Sequence, residues 1–150
     1  MKTYVRKLTS LDYKSLKDIY EREFGKEGFK VSELHKDWKY RNRNKSLGIY
    51  NYENDLLGFL LSSGNFIDFI AIHPKYHKLG LGTKLIKVLL RKHYFDRQSV
   101  YLYPMHQTQQ LFNWYYNLGF HYTSRDFMVF HHYNIRRRKY VMKWIINDHS

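Results

Sequence analysis

One stretch limits what this chain can become more than any other: AIHPKYHKLGLGTKLIKVLL, from Ala71 to Leu90. It begins as the end of an apolar run, Phe66 to Ile72, that reads as a buried strand, and it breaks at Pro74, which has no N–H to offer a sheet. Gly80 and Gly82 follow, and then a helix over Gly80 to Phe95. In that helix Leu81, Leu85, Ile86, Leu89 and Leu90 recur at helical spacing, and Lys84, Lys87, Arg91 and Lys92 take the other side. A strand that turns through glycine straight into a helix has two uses. Glycine tightens the corner, or it lets bare backbone approach a ligand. The start of a helix leaves its first N–H groups unpaired and partly positive, which suits a phosphate. Thr83 adds a hydroxyl there, and Lys78 and Lys84 add charge. The Walker pattern fails on spacing, and the dinucleotide pattern fails because Leu85 stands where its third glycine belongs. Both uses of the turn stay open on these residues alone.

The rest of the chain alternates in a way that fixes a fold class. Thr3 to Leu8 reads as a strand, and Thr9 or Ser10 caps the helix that follows, with Leu11, Ile19, Tyr20 and Phe24 as its apolar stripe. Val31 to Tyr40 is a second helix. Ser46 to Tyr52 and Leu56 to Ser62 form a hairpin, and Phe66 to Ile72 is the next strand. After the glycine helix come a strand over Ser99 to Tyr103, a helix over Gln107 to Leu118 ended by Gly119, and two strands, Phe120 to Phe130 and Tyr140 to Ile146. The order β-α-α-β-β-β-α-β-α-β-β predicts an α/β chain of the α+β type: a mixed sheet of about six or seven strands covered by about four helices. No linker or repeat interrupts it, so residues 1–150 are expected to form a single domain.

Composition narrows the chemistry. With no cysteine, thiolate zinc sites and cysteine nucleophiles are excluded. No apolar h-region stands at the N-terminus, and no apolar run approaches the ~20 residues of a membrane helix, so an intracellular, cytoplasmic enzyme or binding module without membrane attachment is expected. The formal net charge of +13 favours anionic partners such as nucleic acid or a phosphorylated small molecule. His73 and His77 are four apart, but Pro74 denies them a helical register, and no metal site is expected.

A second cluster, LFNWYYNLGF (Leu111 to Phe120), is an aromatic helix that ends in Leu-Gly-Phe. Trp114 and Phe112 read as packing residues. Tyr115 and Tyr116 point in different directions, so one packs while the other is free to face a cleft. Together the two clusters resemble the GNAT superfamily of acyl-CoA-dependent N-acetyltransferases, in order and separation, over essentially the whole chain. That family's pyrophosphate turn reads Arg or Gln, two residues, Gly, one residue, then Gly or Ala. Here His77-Lys78-Leu79-Gly80-Leu81-Gly82 stand in it. Its second motif, an Asn-initiated helix that carries Tyr and ends in Leu-Gly-Phe, corresponds to Thr108 to Phe120, with Tyr115 at the tyrosine position. His77 departs from the usual Arg or Gln, and Thr108 from the usual Asn.

The resemblance implies a mostly antiparallel GNAT-like sheet and acetyl-CoA as co-substrate, lying between the strands Phe66–Ile72 and Ser99–Tyr103 where they splay apart. It implies that backbone groups of Ile70 and Ile72 pair with the pantetheine arm, near Thr108. The amides of Leu79, Gly80, Leu81, Gly82 and Thr83, with His77 and Lys78 beside them, would hold the pyrophosphate. Acetyl transfer to an amine needs a base for the amine, a donor for the carbonyl oxygen and a proton for the leaving thiolate. Tyr115 is the candidate acid. Asp68, the one acidic residue in the strand that feeds the turn, is the candidate base; alternation puts it on the face of Phe66, Ile70 and Ile72. Without cysteine, direct attack in a ternary complex is the expected route. The acceptor is expected to be gripped by 25–29 and by a basic loop, 131–139, between the last two strands, which favours an amine that carries an acidic group. The alternatives are a basic nucleic-acid-binding module and an inactive acetyl-CoA binder on the same scaffold, either of them a monomer or a homodimer.

Overall fold

The computed structural model describes residues 1–28, 30–103, 109–123 and 127–132. Among them, strand β1 (Thr3–Lys7) is followed by helices α1 (Tyr13–Phe24) and α2 (Val31–Lys39), then by strands β2 (Leu47–Asn51), β3 (Leu56–Ser63) and β4 (Phe66–Ile72). Helix α3 (Leu81–Phe95), strand β5 (Val100–Leu102), helix α4 (Gln109–Asn117) and strands β6 (His121–Tyr122) and β7 (Met128–Phe130) complete the order. They make one seven-stranded sheet in the order β1-β2-β3-β4-β5-β7-β6. Only β4 and β5 pair in parallel; every other neighbour is antiparallel.

The sheet separates two apolar layers. On one face Leu16, Ile19, Tyr20 and Phe24 of α1 and Leu34 and Trp38 of α2 pack on Phe59, Leu61, Phe69 and Ala71. The stripe of α1 runs through Leu16 rather than Leu11, which is exposed. Residues 10–12 form a separate 3-10 turn, so the register of α1 begins later than expected. On the other face Leu85, Ile86, Leu89 and Leu90 of α3 and Tyr115 of α4 cover Leu47, Ile49, Leu60 and Ile67. Full burial of side chains of this size stabilises by roughly 1.5–3 kcal/mol each before the cost of ordering them. Thr9 stands before the 3-10 turn but its hydroxyl does not accept a first-turn amide as expected; instead its N–H donates to the Asp12 carboxylate at 2.7 Å, and Arg6 grips the same carboxylate at 3.0 Å.

The expected single strand over Phe120 to Phe130 is instead the hairpin of β6 and β7, in the register His121↔Val129 and Tyr122↔Met128, closed by Thr123 N–H donating to the Phe127 carbonyl at 2.8 Å. In the sequence, Ser124-Arg125-Asp126 is a polar run that carries two turn-favouring residues and no alternation. This hairpin moves the connection between the last two described strands to 123–127. The basic stretch 131–139 comes after β7, and the expected strand Tyr140 to Ile146 lies outside the described residues. No described helix is long and apolar enough to cross a membrane.

Candidate active site

The site begins where two strands part. β4 and β5 share only the pairs Phe66↔Tyr101 and Ile67↔Leu102. Past Ile67 the β5-facing edge of β4 has no strand partner among the described residues. The polar groups on that edge follow from the other side of β4. His73 N–H donates to the Leu57 carbonyl at 2.8 Å, so His73 and Leu57 are a hydrogen-bonded pair. Such pairs alternate along an antiparallel ladder. Gly58↔Ile72 and Leu60↔Ile70 are therefore non-bonded pairs, and the N–H and C=O groups of Ile70 and Ile72 point away from β3, into the gap. The gap opens into a cavity of about 360 Å³.

The glycine turn closes one end of it. Pro74–Tyr76 form a 3-10 turn, after which Lys78 (φ 64°) and Gly80 (φ 75°) both take left-handed backbone. That conformation costs a non-glycine residue roughly 1–2 kcal/mol, so Lys78 is a strained position at the cavity wall. The first bond at the head of α3 runs from Lys84 N–H to the Gly80 carbonyl at 3.1 Å, which leaves the amides of Leu81, Gly82 and Thr83 as first-turn donors without a partner one turn back. A Cβ on Gly82 would stand 3.3 and 3.4 Å from the Trp114 ring, so glycine lets α4 approach here. Trp114 Nε1 donates to Thr83 Oγ1 at 2.9 Å. Lys84 is committed elsewhere: its ammonium donates to the carbonyl and hydroxyl oxygens of Thr3, both at 2.9 Å, and ties α3 to β1.

His77 is also committed. Its Nε2 lies 2.9 Å from the Ile72 carbonyl oxygen and 2.9 Å from Glu23 Oε1. The side chain thus pins the turn to the end of β4 and to the last turn of α1. His73 Nδ1 accepts from Lys75 N–H at 3.1 Å.

Tyr115 is 5% exposed and lines the cavity, its ring 4.8 Å from that of Trp114 and 5.7 Å from that of Phe120. Burial pushes its phenol up, so it stays protonated across the neutral range. Its phenol hydroxyl has no hydrogen-bond partner among the described residues. Asp68 occupies a β-bulge: Leu61 pairs with Phe69 and Ser62 with Ile67, leaving Asp68 opposite nothing. The bulge corrects the expected alternation. Ile67 joins the α3 layer while Phe69 and Ala71 join the α1 layer, so Asp68 is not carried to the face of Ile70 and Ile72 by a period of two. Its carboxylate accepts from the Ser63 hydroxyl, and burial raises its pKa against that bond. Asp37 on α2 is raised by burial and then by the negative field of Asp68.

Asp68, Ile70, Ile72, His77, Lys78, Gly80, Leu81, Gly82, Thr83 and Tyr115 all border the one cavity. Leu79 is half-exposed and does not border it, and Thr108 lies outside the described residues. Sequence reasoning missed Trp114 and Glu23 as cavity residues. Helical spacing assigned Trp114 to packing, which it does; nothing in the sequence pairs it with Thr83. Glu23 lies far from the turn in sequence and carries no local signal.

Residues 13–120 match the acetyltransferase (GNAT) family. No curated protein matches the sequence. Among solved structures, a Pyrococcus horikoshii protein is similar with a TM-score of 0.71 at 18% identity, over 85% of this chain and 97% of that one. The ribosomal-protein-S18-alanine N-acetyltransferase from Escherichia coli gives a TM-score of 0.70 at 18% identity, over 85% and 92%. A GNAT family acetyltransferase from Brucella melitensis, in complex with acetyl-CoA, gives 0.63 at 16% identity, over 85% and 86%. At these identities the neighbours speak for the fold; the family match, which spans more than half of the sequence, speaks for descent, and the chain belongs to the GNAT family of acetyltransferases.

Proposed function

We propose that this acetyltransferase moves an acetyl group from acetyl-CoA to a primary amine by direct attack within a ternary complex. The observation that carries the reading is the parting of β4 from β5 at Ile67, over a cavity that runs from the unpaired edge at Ile70 and Ile72 to the first-turn amides of Leu81, Gly82 and Thr83. An extended amide-bearing arm with a pyrophosphate at one end fits such a donor set. Edge groups bind the arm as a strand would, and the helix start meets the anion. The Brucella neighbour's complex with acetyl-CoA supports the same choice of co-substrate.

Bound acetyl-CoA supplies the thioester. Asp68, alone or through a water, takes a proton from the acceptor amine, and its raised pKa brings it nearer the pKa of its task than an exposed carboxylate. Tyr115 holds its proton and has no competing partner among the described residues, so it can donate to the departing thiolate. Ile72 offers its N–H to the cleft while its carbonyl is taken by His77.

The basic stretch 131–139 runs on past β7, and most of it, with the strand expected after it, lies outside the described residues. The carboxylates of Asp68 and Asp37 favour an amine with no acid beside it.

The test is calorimetric titration with acetyl-CoA, then thiol release across a panel of amines. Acetyl-CoA binds and thiol appears with at least one amine. Tyr115→Phe lowers turnover by about 10²–10⁴-fold and keeps cofactor affinity. A chain that binds no acetyl-CoA refutes the proposal.

A further inference from the structure

Trp114 does more in this cavity than pack. Its indole N–H, a donor with no acceptor capacity, ends on Thr83 Oγ1 at 2.9 Å. A helical threonine usually turns its own proton back to the carbonyl four residues earlier. For Thr83 that residue is Leu79, which precedes the helix, and no such bond forms. The oxygen is thus occupied as an acceptor and the hydroxyl proton has no acceptor among the described residues. Thr83 borders the cavity beside the first-turn amides of Leu81 and Gly82. The bare Cα of Gly82 is what admits the indole, since a Cβ there would meet its ring at 3.3 Å.

We propose that Trp114 is a positioning residue whose indole N–H holds the Thr83 hydroxyl as a hydrogen-bond donor toward the pyrophosphate of the CoA co-substrate. The inference rests on the acetyl-CoA reading above. It assigns the hydroxyl a direction: with the indole proton on one side of the oxygen, the hydroxyl proton is left to the cavity side, where backbone amides already gather for an anion. The helix dipole adds to the same end. The arrangement joins α4, which carries Tyr115, to the head of α3, so one tryptophan sets the anion end of the cleft beside the residue proposed to protonate the thiolate.

The test is a double-mutant cycle read by calorimetric titration with CoA. Thr83→Val keeps the shape and removes the hydroxyl, and Kd rises about tenfold or more, as for a lost bond to a charged group. Thr83→Ser restores affinity to near the wild-type value. Trp114→Phe raises Kd about 3- to 10-fold, and the double variant is no weaker than Thr83→Val alone, because the indole then has nothing to orient. In rate measurements the KM for acetyl-CoA rises in Thr83→Val while kcat holds. Additive losses in the double variant, or unchanged CoA affinity in Thr83→Val, overturn the proposal. A wild-type chain that binds no CoA overturns the acetyl-CoA reading with it. A wild-type chain that binds while both single variants bind equally well overturns this inference alone.

Discussion

His93 makes the stability of this fold depend on pH in a direction and size that can be worked out. It sits on α3, 1% exposed, with Nδ1 3.1 Å from Gln98 Oε1, so Nδ1–H donates and Nε2 is left as the acceptor nitrogen. Nε2 is buried and has no partner among the described residues. Protonation would place a new N–H and a charge among Leu89, Leu90 and their neighbours, and burial accordingly lowers the His93 pKa to about 4 from 6.5. The unfolded chain then takes up this proton before the folded chain does. Stability from the neutral ring is fully present above pH 6.5 and drains away as the pH falls toward 4. Across the whole window the loss is about 3 kcal/mol, and about 2 kcal/mol of it is gone by about pH 5. The assay is urea unfolding at several pH values for the wild type and for His93→Asn, which keeps a donor toward Gln98 and cannot titrate. The raised carboxylates of Asp37 and Asp68 act with the opposite sign, since a folded state that holds protons more tightly gains as the pH falls, and they act equally in both chains. The difference between the two stability curves isolates His93. A difference that stays flat from pH 7.5 to 4.5 refutes the reasoning.

Gly58→Ala destabilises by about 1–3 kcal/mol, an overpacking cost, because its Cβ would stand 2.8 Å from the Ala71 carbonyl oxygen and closer still to Ile72 Cδ1; since both residues belong to β4, the KM for acetyl-CoA rises along with the shift in the urea midpoint. Asp68→Asn lowers kcat/KM about 10²–10⁴-fold and erases the acid limb of its pH profile, which in the wild type lies above the ordinary carboxylate range because burial raises Asp68; initial rates from pH 5 to 9 check both, and a limb that survives the substitution removes Asp68 from the role of base.

What could be read from the sequence was what local physics decides. Strand β4 was legible to the residue, because an apolar run ended by His-Pro leaves little choice. Helix α3 was legible to within one residue at its start, because five leucines and isoleucines share one face and glycine precedes them. The misreadings all involve partners distant in sequence or a break in period. Leu11 has the hydrophobicity of a core residue but falls in a 3-10 turn before α1 takes up its register. Asp68 obeys alternation in the sequence and escapes it in the fold, because the bulge is set by pairing with Ser62 and Leu61 across the hairpin. His77 sits at the expected place in the turn, yet what its ring does is decided by Glu23, more than fifty residues earlier. Thr83 and Trp114, likewise, meet only once α4 has packed on α3.

Net charge illustrates the same limit and bears on the acceptor. A chain at +13 invites an anionic substrate, yet the cations with described partners are spent on structure. Lys84 holds Thr3, Lys45 is paired with Asp96, and Arg41 lies buried with its guanidinium 3.7 Å over the Trp38 ring. At the cavity the signs divide. Lys78 and the positive end of α3 stand at the turn, while Asp68, with Asp37 in its field, stands at the bulge. Acetyl transfer from CoA brings a polyanion and an amine to one cleft, and each must find its own end. A uniformly basic cleft would hold the cofactor and repel a protonated amine; a uniformly acidic one would do the reverse. The separation of charge along β4, between its bulge and the turn that follows it, suits both reactants of the proposed transfer, and the sum over the whole chain carries no trace of it.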